Sequence, residues 1–300
     1  MLGGIEHINA GFNPLDSYHP KSLRFVPSKM PYFTRGSDLK IFYSLHGSTT
    51  NPPILLVHGW TCDSTDWSFT IPALIEKYHV ITIDLRGHGH SSAPSSATYT
   101  IADSAADAVA LLQHLNLIKD VLVMGHSLGG IVASSLTGLY PDVFRGLVVI
   151  DPPYWRTKAF WADMLPKWDE LQNGFVFVTM AFGNQMPPEG VMPAWMMTWI
   201  GIRGQAMDEK IIGESLKGAF GEGMLGQQEE HINAVKKRTI PRLAAYMTEE
   251  NVANEKSLGL KEGDEVVWVK DAGHWFHHIK AEEFNGILTS WLEKLEGKKM

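Results

Sequence analysis

The sequence predicts an α/β protein: a mostly parallel sheet flanked by helices, with a helical lid inserted after its sixth strand. Three observations lead there. The runs Ile54–Val57, Val80–Ile83, Val121–Met124 and Leu147–Ile150 are apolar throughout, as strands covered on both faces are. Helical segments stand between them, and strand followed by helix, repeated, gives βαβ units with right-handed crossovers. That rhythm stops after Asp151 and resumes near Arg242, which marks 152–239 as an insertion.

Each element has its own signal. Residues 1–28 carry Pro14, Pro20 and Pro27 without sustained periodicity, which suits an arm laid over the surface. The core then occupies 29–151 and 240–300. It opens with a β-hairpin, Tyr32–Thr34 and Leu39–Tyr43, around Arg35-Gly36-Ser37-Asp38. Ile101, Ala105, Ala108, Leu111, Leu112 and Leu115 recur at helical spacing behind Thr100, with Asp103 placed as its capping-box partner. Leu243–Met247 and Val266–Val269 read as the closing strands, and 281–295 as the last helix. The insertion holds Trp155, Trp161, Trp168, Trp195 and Trp199 of the chain's 10 Trp, and many of its 13 Met.

The composition is that of an ordinary packed protein, with 300 residues, 44% hydrophobic and 20% charged. One large domain with an insertion accounts for that length. A net charge of −7 argues against a nucleic-acid partner, because such binding relies on Lys and Arg neutralising phosphates. The Lys pairs at 236–237 and 298–299 read as solvated surface. Cys62 is the one cysteine, so there is neither an intramolecular disulfide nor a cysteine-rich metal site, and a reducing, cytoplasmic compartment fits. Residues 1–20 lack the apolar segment of a secretory signal, and no run approaches the ~20 residues of a membrane span. A homodimer is left open.

The strongest chemical signal is Gly125-His126-Ser127-Leu128-Gly129, a G-x-S-x-G pentapeptide between a strand and the apolar Ile131-Val132-Ala133 run. A tight turn there lifts Ser127 to the strand-to-helix corner, and the glycines leave room for neighbouring backbone. A serine hydroxyl needs a base. Of the 13 His, His274 in Asp271-Ala272-Gly273-His274-Trp275 follows the last strand, where this chain order places the base. His277 and His278 read as surface or packing residues, and His58, His88 and His90 as loop residues at the same sheet edge. For the acid that orients the imidazole, Asp151 at the end of the sixth strand is preferred, with Glu249 and Glu250 as the alternative. The oxyanion of an acyl-transfer transition state needs two backbone donors. These are assigned to Leu128, after the nucleophile, and Trp60, with Gly59 as the close alternative.

Together, His58-Gly59-Trp60, Asp84-Leu85-Arg86-Gly87-His88-Gly89-His90-Ser91, Gly125–Gly130 and Gly273-His274 resemble the α/β-hydrolase superfamily from about Met30 onward. Within it the chain is similar to the cap-bearing serine esterases and lactonases, including zearalenone-lactonase-like and small esterase members. Those members carry the acid after the sixth strand, which the resemblance transfers to Asp151; the departure from the commoner pattern is the missing aspartate after the seventh. The resemblance also implies that the Asp84–Ser91 loop holds the site without reacting. Ser127 separates the chain from haloalkane dehalogenases and epoxide hydrolases, which use an aspartate there.

The reading that follows is hydrolysis of an ester or lactone of a hydrophobic small molecule through an acyl-enzyme, with no metal or organic cofactor. Trp155, Trp195, Trp199 and Met196 of the lid are the expected substrate-binding side chains. Two alternatives carry the same residues: a carbon–carbon bond hydrolase, with Arg156 or Arg203 stabilising the intermediate, and a small-molecule receptor with slow turnover.

Overall fold

A computed structural model describes residues 31–36, 38–171, 183, 186–188 and 190–297, with backbone alone for 168–171. The arm expected over 1–28 and the Trp168 side chain lie outside the described residues. Eight strands form one sheet: β1 Tyr32–Arg35, β2 Leu39–His46, β3 Pro53–Val57, β4 His79–Ile83, β5 Val121–His126, β6 Phe144–Ile150, β7 Arg242–Tyr246 and β8 Glu265–Trp268. Their order is β1-β2-β4-β3-β5-β6-β7-β8. The β1–β2 and β2–β4 pairings are antiparallel, and every later pairing is parallel.

The unalternating apolar runs are explained by burial on both faces. Successive side chains of a strand point to opposite sides. Past the short α1, Ile71–Leu74, the longer helices cover the sheet: Leu55, Val57, Val123, Val149 and Tyr246 enter one core with residues of α2 Ile101–His114 and α3 Leu128–Leu139. Ile54, Leu56, Leu122, Met124, Val148 and Ile150 enter the other, against Phe284, Leu288 and Trp291 of the last helix, Ala281–Gly297. Thr100 caps α2 as expected, its hydroxyl accepting from the Asp103 N–H while Asp103 accepts from Thr100.

After β6 the chain departs into the helical insertion, with α4 Lys158–Leu171, α5 Ala194–Ala206, α6 Glu209–Phe220 and α7 Gln228–Lys237. Its two ends meet. Near the start, Tyr154 donates its hydroxyl to Gly130 O at 2.9 Å, and its ring stacks on His231 of α7 at 3.4 Å between centroids. His231 Nε2 in turn lies 3.0 Å from Glu255 Oε2 on α8, Glu249–Ser257, which also pairs with Arg242 of β7 at 2.6 Å. The start and end of the insertion are thereby fastened to one polar cluster beside the sheet.

The Asp84–Ser91 loop is a brace. Buried Asp84 accepts the Ser64 and His90 backbone N–H groups at 2.7 and 2.8 Å. Arg86 makes a two-pronged pair with Asp107 of α2, at 2.6 and 2.8 Å, and donates to Thr98 O at 2.6 Å. Both partners of that pair are buried. Asp107→Ala leaves the buried guanidinium only the longer 3.5 Å pairing with Asp103, so it is expected to cost about 3 kcal/mol in stability by chemical denaturation.

Candidate active site

Strand β5 runs straight into the turn that carries Ser127, which sits at the N-cap of α3 with φ 53° and ψ −120°. A side-chain-bearing residue pays strain in that region of backbone space. The turn closes because the helix backbone passes directly against the strand end. A Cβ at Gly125 would be driven into the Gly129 carbonyl, and one at Gly129 into Val57 O. Glycine at both positions is therefore a requirement of close approach, and it holds Ser127 above the carboxyl edge of the sheet.

Two further strand ends deliver the other groups. Asp151, one residue past β6, has φ 44° and is anchored by its own N–H to Ala245 O at 2.8 Å. Its Oδ1 accepts the Met247 N–H at 3.1 Å, and its Oδ2 meets His274 Nδ1 at 2.6 Å. Because the carboxylate can only accept, Nδ1 of His274 donates, and the lone pair is left on Nε2. Both side chains are buried. Glu249 and Glu250 instead lie exposed in the first turn of α8. Their carboxylates stand in solvent, while that of Asp151 holds the imidazole.

The β3 loop arches over Ser127. A Cβ added to Gly59 would meet His126 Nδ1 at 3.0 Å and Ser127 Cβ at 3.2 Å. His58 fastens that loop to the β4 loop: its Nε2 accepts from the Leu85 N–H at 2.9 Å while its Nδ1 donates to Gly59 O at 2.7 Å. Trp60 is buried, and its indole N–H donates to Ser215 Oγ at 3.1 Å on α6. The ring is thus tied to the insertion. His88, buried beside His58, donates from Nδ1 to Arg86 O at 3.0 Å, and His90 packs on Phe42 near Asp84. These histidines brace loops.

Burial, followed by the neighbouring His58, pushes His88 down to about 3. The unfolded state binds a proton below about pH 6.5 that folded His88 refuses, so its contribution to stability is complete above that pH. It is lost as pH falls from 6.5 towards 3, by on the order of 1 kcal/mol per pH unit. His88→Asn is therefore expected to lessen the drop in unfolding free energy between pH 7 and pH 5 seen in urea titrations.

Behind the site lies a cluster that sequence reasoning missed. His126 Nδ1 lies 2.9 Å from Asp66 Oδ2, and its Nε2 3.2 Å from the backbone carbonyl of His274. Asp66 is fully buried, as is His277, and His278 is nearly so. The surface half of the expectation for His277 and His278 is thus corrected: both turn inward from the short helix Phe276–Ile279, because Asp66 draws them. Burial opposes ionisation of Asp66, but the imidazoles of His126, His277 and His278 outweigh it and hold the carboxyl well below the usual range. Burial, with His126 and His278 adding to it, pushes His277 well below the ordinary imidazole value and keeps it neutral.

The four lid residues occupy different settings. Met196 is fully buried in the core beneath α5. Trp199 is half-buried, stacked by the Arg203 guanidinium at 3.4 Å and edge-on to His278. Trp195 is 49% exposed and touches Phe69, and Trp155 packs edge-on against His231. Arg203 donates to Cys62 Sγ at 3.3 Å, and Arg156 lies over the Phe160 ring.

This constellation on an α/β sheet belongs to a class of hydrolases, and comparison with known proteins gives the family. Residues 52–281 match the model of the alpha/beta hydrolase fold, and the chain belongs to that family. Lipase 3 of Moraxella sp. (strain TA144) is 26% identical over 249 residues, covering 80% of this chain and 77% of that one. Epoxide hydrolase 4 of Mus musculus is 32% identical over 293 residues, covering 87% and 78%. A relative from Haemophilus influenzae is 36% identical over 110 residues, only 37% of each chain. Among solved structures, the enol-lactonase from Burkholderia xenovorans LB400 superposes with a TM-score of 0.75 at 19% identity, over 88% of this chain and 100% of that one. No described helix is long and apolar enough to cross a membrane.

Proposed function

We propose that the protein is a serine hydrolase cleaving a carboxylic ester or lactone of a hydrophobic small molecule through an acyl-enzyme. The observation that carries this reading is the 2.6 Å pairing of His274 Nδ1 with Asp151 Oδ2, at the sheet edge where the elbow presents Ser127. In it, Ser127 Oγ attacks the acyl carbon as His274 Nε2 takes the hydroxyl proton, and Asp151 steadies the imidazolium. The carbonyl oxygen, now negative, is received by the N–H groups of Leu128 and Trp60, with Gly59 as the alternative to Trp60. Collapse expels the alcohol, protonated by His274; for a lactone that alcohol stays tethered to the acyl chain. Water, deprotonated by His274, then attacks the acyl-enzyme and frees the acid and Ser127.

Support comes from three sides. The shared anchorage of Asp151 by Met247 and His274 leaves the base in one tautomer. Residues 152–239 act as the cap in this reading, with Trp199, Trp155, Trp195 and Met196 supplying apolar contact area. A lipase stands among the relatives and a lactonase among the structural neighbours. Arg203, engaged with Cys62 and Trp199, is withdrawn from the anion-stabilising role that carbon–carbon cleavage asks of it.

Turnover of short- and medium-chain p-nitrophenyl esters, aliphatic lactones and vinylogous diketones by the purified chain tests the assignment. Many turnovers on esters or lactones are expected. Diketone cleavage without ester hydrolysis, or stoichiometric binding without turnover, contradicts it.

A further inference from the structure

The geometry points to a site for one divalent first-row transition-metal ion, of the zinc class, held by Asp66, His277 and His278 behind the proposed catalytic histidine. Nε2 of His278 lies 3.2 Å from Asp66 Oδ1, and Nε2 of His277 lies 3.6 Å from Asp66 Oδ2. One donor atom from each of the three residues falls within 4.8 Å of the others. Ligands about 2.0–2.1 Å from a tetrahedral Zn²⁺ stand about 3.3–3.4 Å apart, and the two imidazole-to-carboxylate distances bracket that spacing. A hydrogen bond explains the His277 spacing less well, since 3.6 Å is beyond its range.

A second observation points the same way. His277 is fully buried, yet neither of its ring nitrogens has a hydrogen-bond partner among the described residues. Buried polar atoms are normally satisfied, and each exception needs an account. An ion between Nε2 and the carboxylate supplies one for Nε2. Two imidazoles and one carboxylate suit zinc and its neighbours, whereas Mg²⁺ and Ca²⁺ prefer all-oxygen surroundings. His126, donating to Asp66 Oδ2 at 2.9 Å, orients the carboxylate in the way outer hydrogen bonds orient metal ligands. Arg203 Nη1 forms an ion pair with Asp66 Oδ1 at 3.7 Å, beyond hydrogen-bond distance, so no guanidinium N–H occupies that oxygen's lone pairs.

The site joins two segments that matter to the active site. Asp66 lies on the 3-10 turn Ser64–Trp67 after the Gly59–Trp60 loop, and His277 and His278 lie just past His274. An ion there clamps one to the other without touching the reacting atoms, which is a structural role. A competing set of donors, Cys62 with Asp66 and His126, shares the same carboxylate, and the test below separates the two.

The full chain, freed of metal by chelator dialysis, is titrated with Co²⁺ and read by its visible d–d bands, then with Zn²⁺ against a chromogenic chelator. One ion per chain is expected, at roughly 10 µM free Zn²⁺ or below. His277→Ala, His278→Ala and Asp66→Asn are each expected to weaken binding by about 100-fold, while Cys62→Ser and the exposed His90→Gln bind as the wild type does. Zn²⁺ at about a hundred times its Kd should raise the Tm of the wild type by roughly 5 °C or more, and that of His277→Ala hardly at all. Less than one equivalent bound by the wild type overturns the site whatever the variants do. Undiminished binding by a folded His277→Ala, or loss of binding in Cys62→Ser, overturns this assignment of ligands.

Discussion

Replacing Ser127 with alanine is expected to lower ester turnover by about 10⁴-fold or more, because the acyl-enzyme then has no atom to form on. Stability supplies a second readout. Ser127 holds φ 53° and ψ −120°, a conformation that costs a side-chain-bearing residue about 1–3 kcal/mol. Ser127→Gly removes the proposed nucleophile and that strain together, so it should be as inactive as Ser127→Ala and about 1 kcal/mol more stable than the wild type. Urea denaturation beside a p-nitrophenyl ester assay measures both quantities on the same samples. A gain in stability coupled to loss of turnover is the pattern of a residue held under strain for chemistry. An inert serine held at the same backbone angles would gain that stability on change to glycine and keep its turnover.

The second large effect is expected from Asp151→Asn, whose consequence follows from the two contacts of the carboxylate. Oδ1 accepts the Met247 N–H, and Oδ2 accepts from His274 Nδ1. An asparagine must keep its carbonyl on the Met247 N–H, which turns its NH₂ group towards His274. Nδ1 then has to accept, the proton moves to Nε2, and the lone pair that should take the Ser127 proton is gone. A fall of about 10⁴-fold in kcat at neutral pH is expected with little change in fold. Glu249→Gln and Glu250→Gln are the controls: both side chains are exposed, and activity should stay within about twofold of the wild type. A loss confined to one of these glutamates would move the acid from β6 to the segment after β7.

Much of this was legible in the sequence because it is local. Gly125–Gly129 announces a tight corner, and the unalternating strands announce a sheet covered on both faces. Thr100 and Asp103 sit three residues apart, and their capping box is a property of that spacing alone. What could not be read depends on contacts between distant segments. His126 and Asp66 are 60 residues apart, Arg86 and Asp107 are 21 apart, and Asp66 and His278 are 212 apart. No period in the chain encodes such meetings. His277 and His278 lie on a helix of four residues, too short to show an inward face. The settings of the lid side chains were hidden for a different reason: Ala194–Ala206 is apolar almost all round, so the pattern could not say that Met196 would be buried while Trp195 stood 49% exposed.

The sharpest test of the account is covalent labelling of the wild-type chain by a fluorophosphonate, followed by mass spectrometry of its peptides. The account predicts one adduct per chain, on Ser127, absent from Ser127→Ala and slowed in Asp151→Asn. An unlabelled wild type, or an adduct elsewhere in a chain whose Ser127→Ala variant still turns over esters, would contradict it.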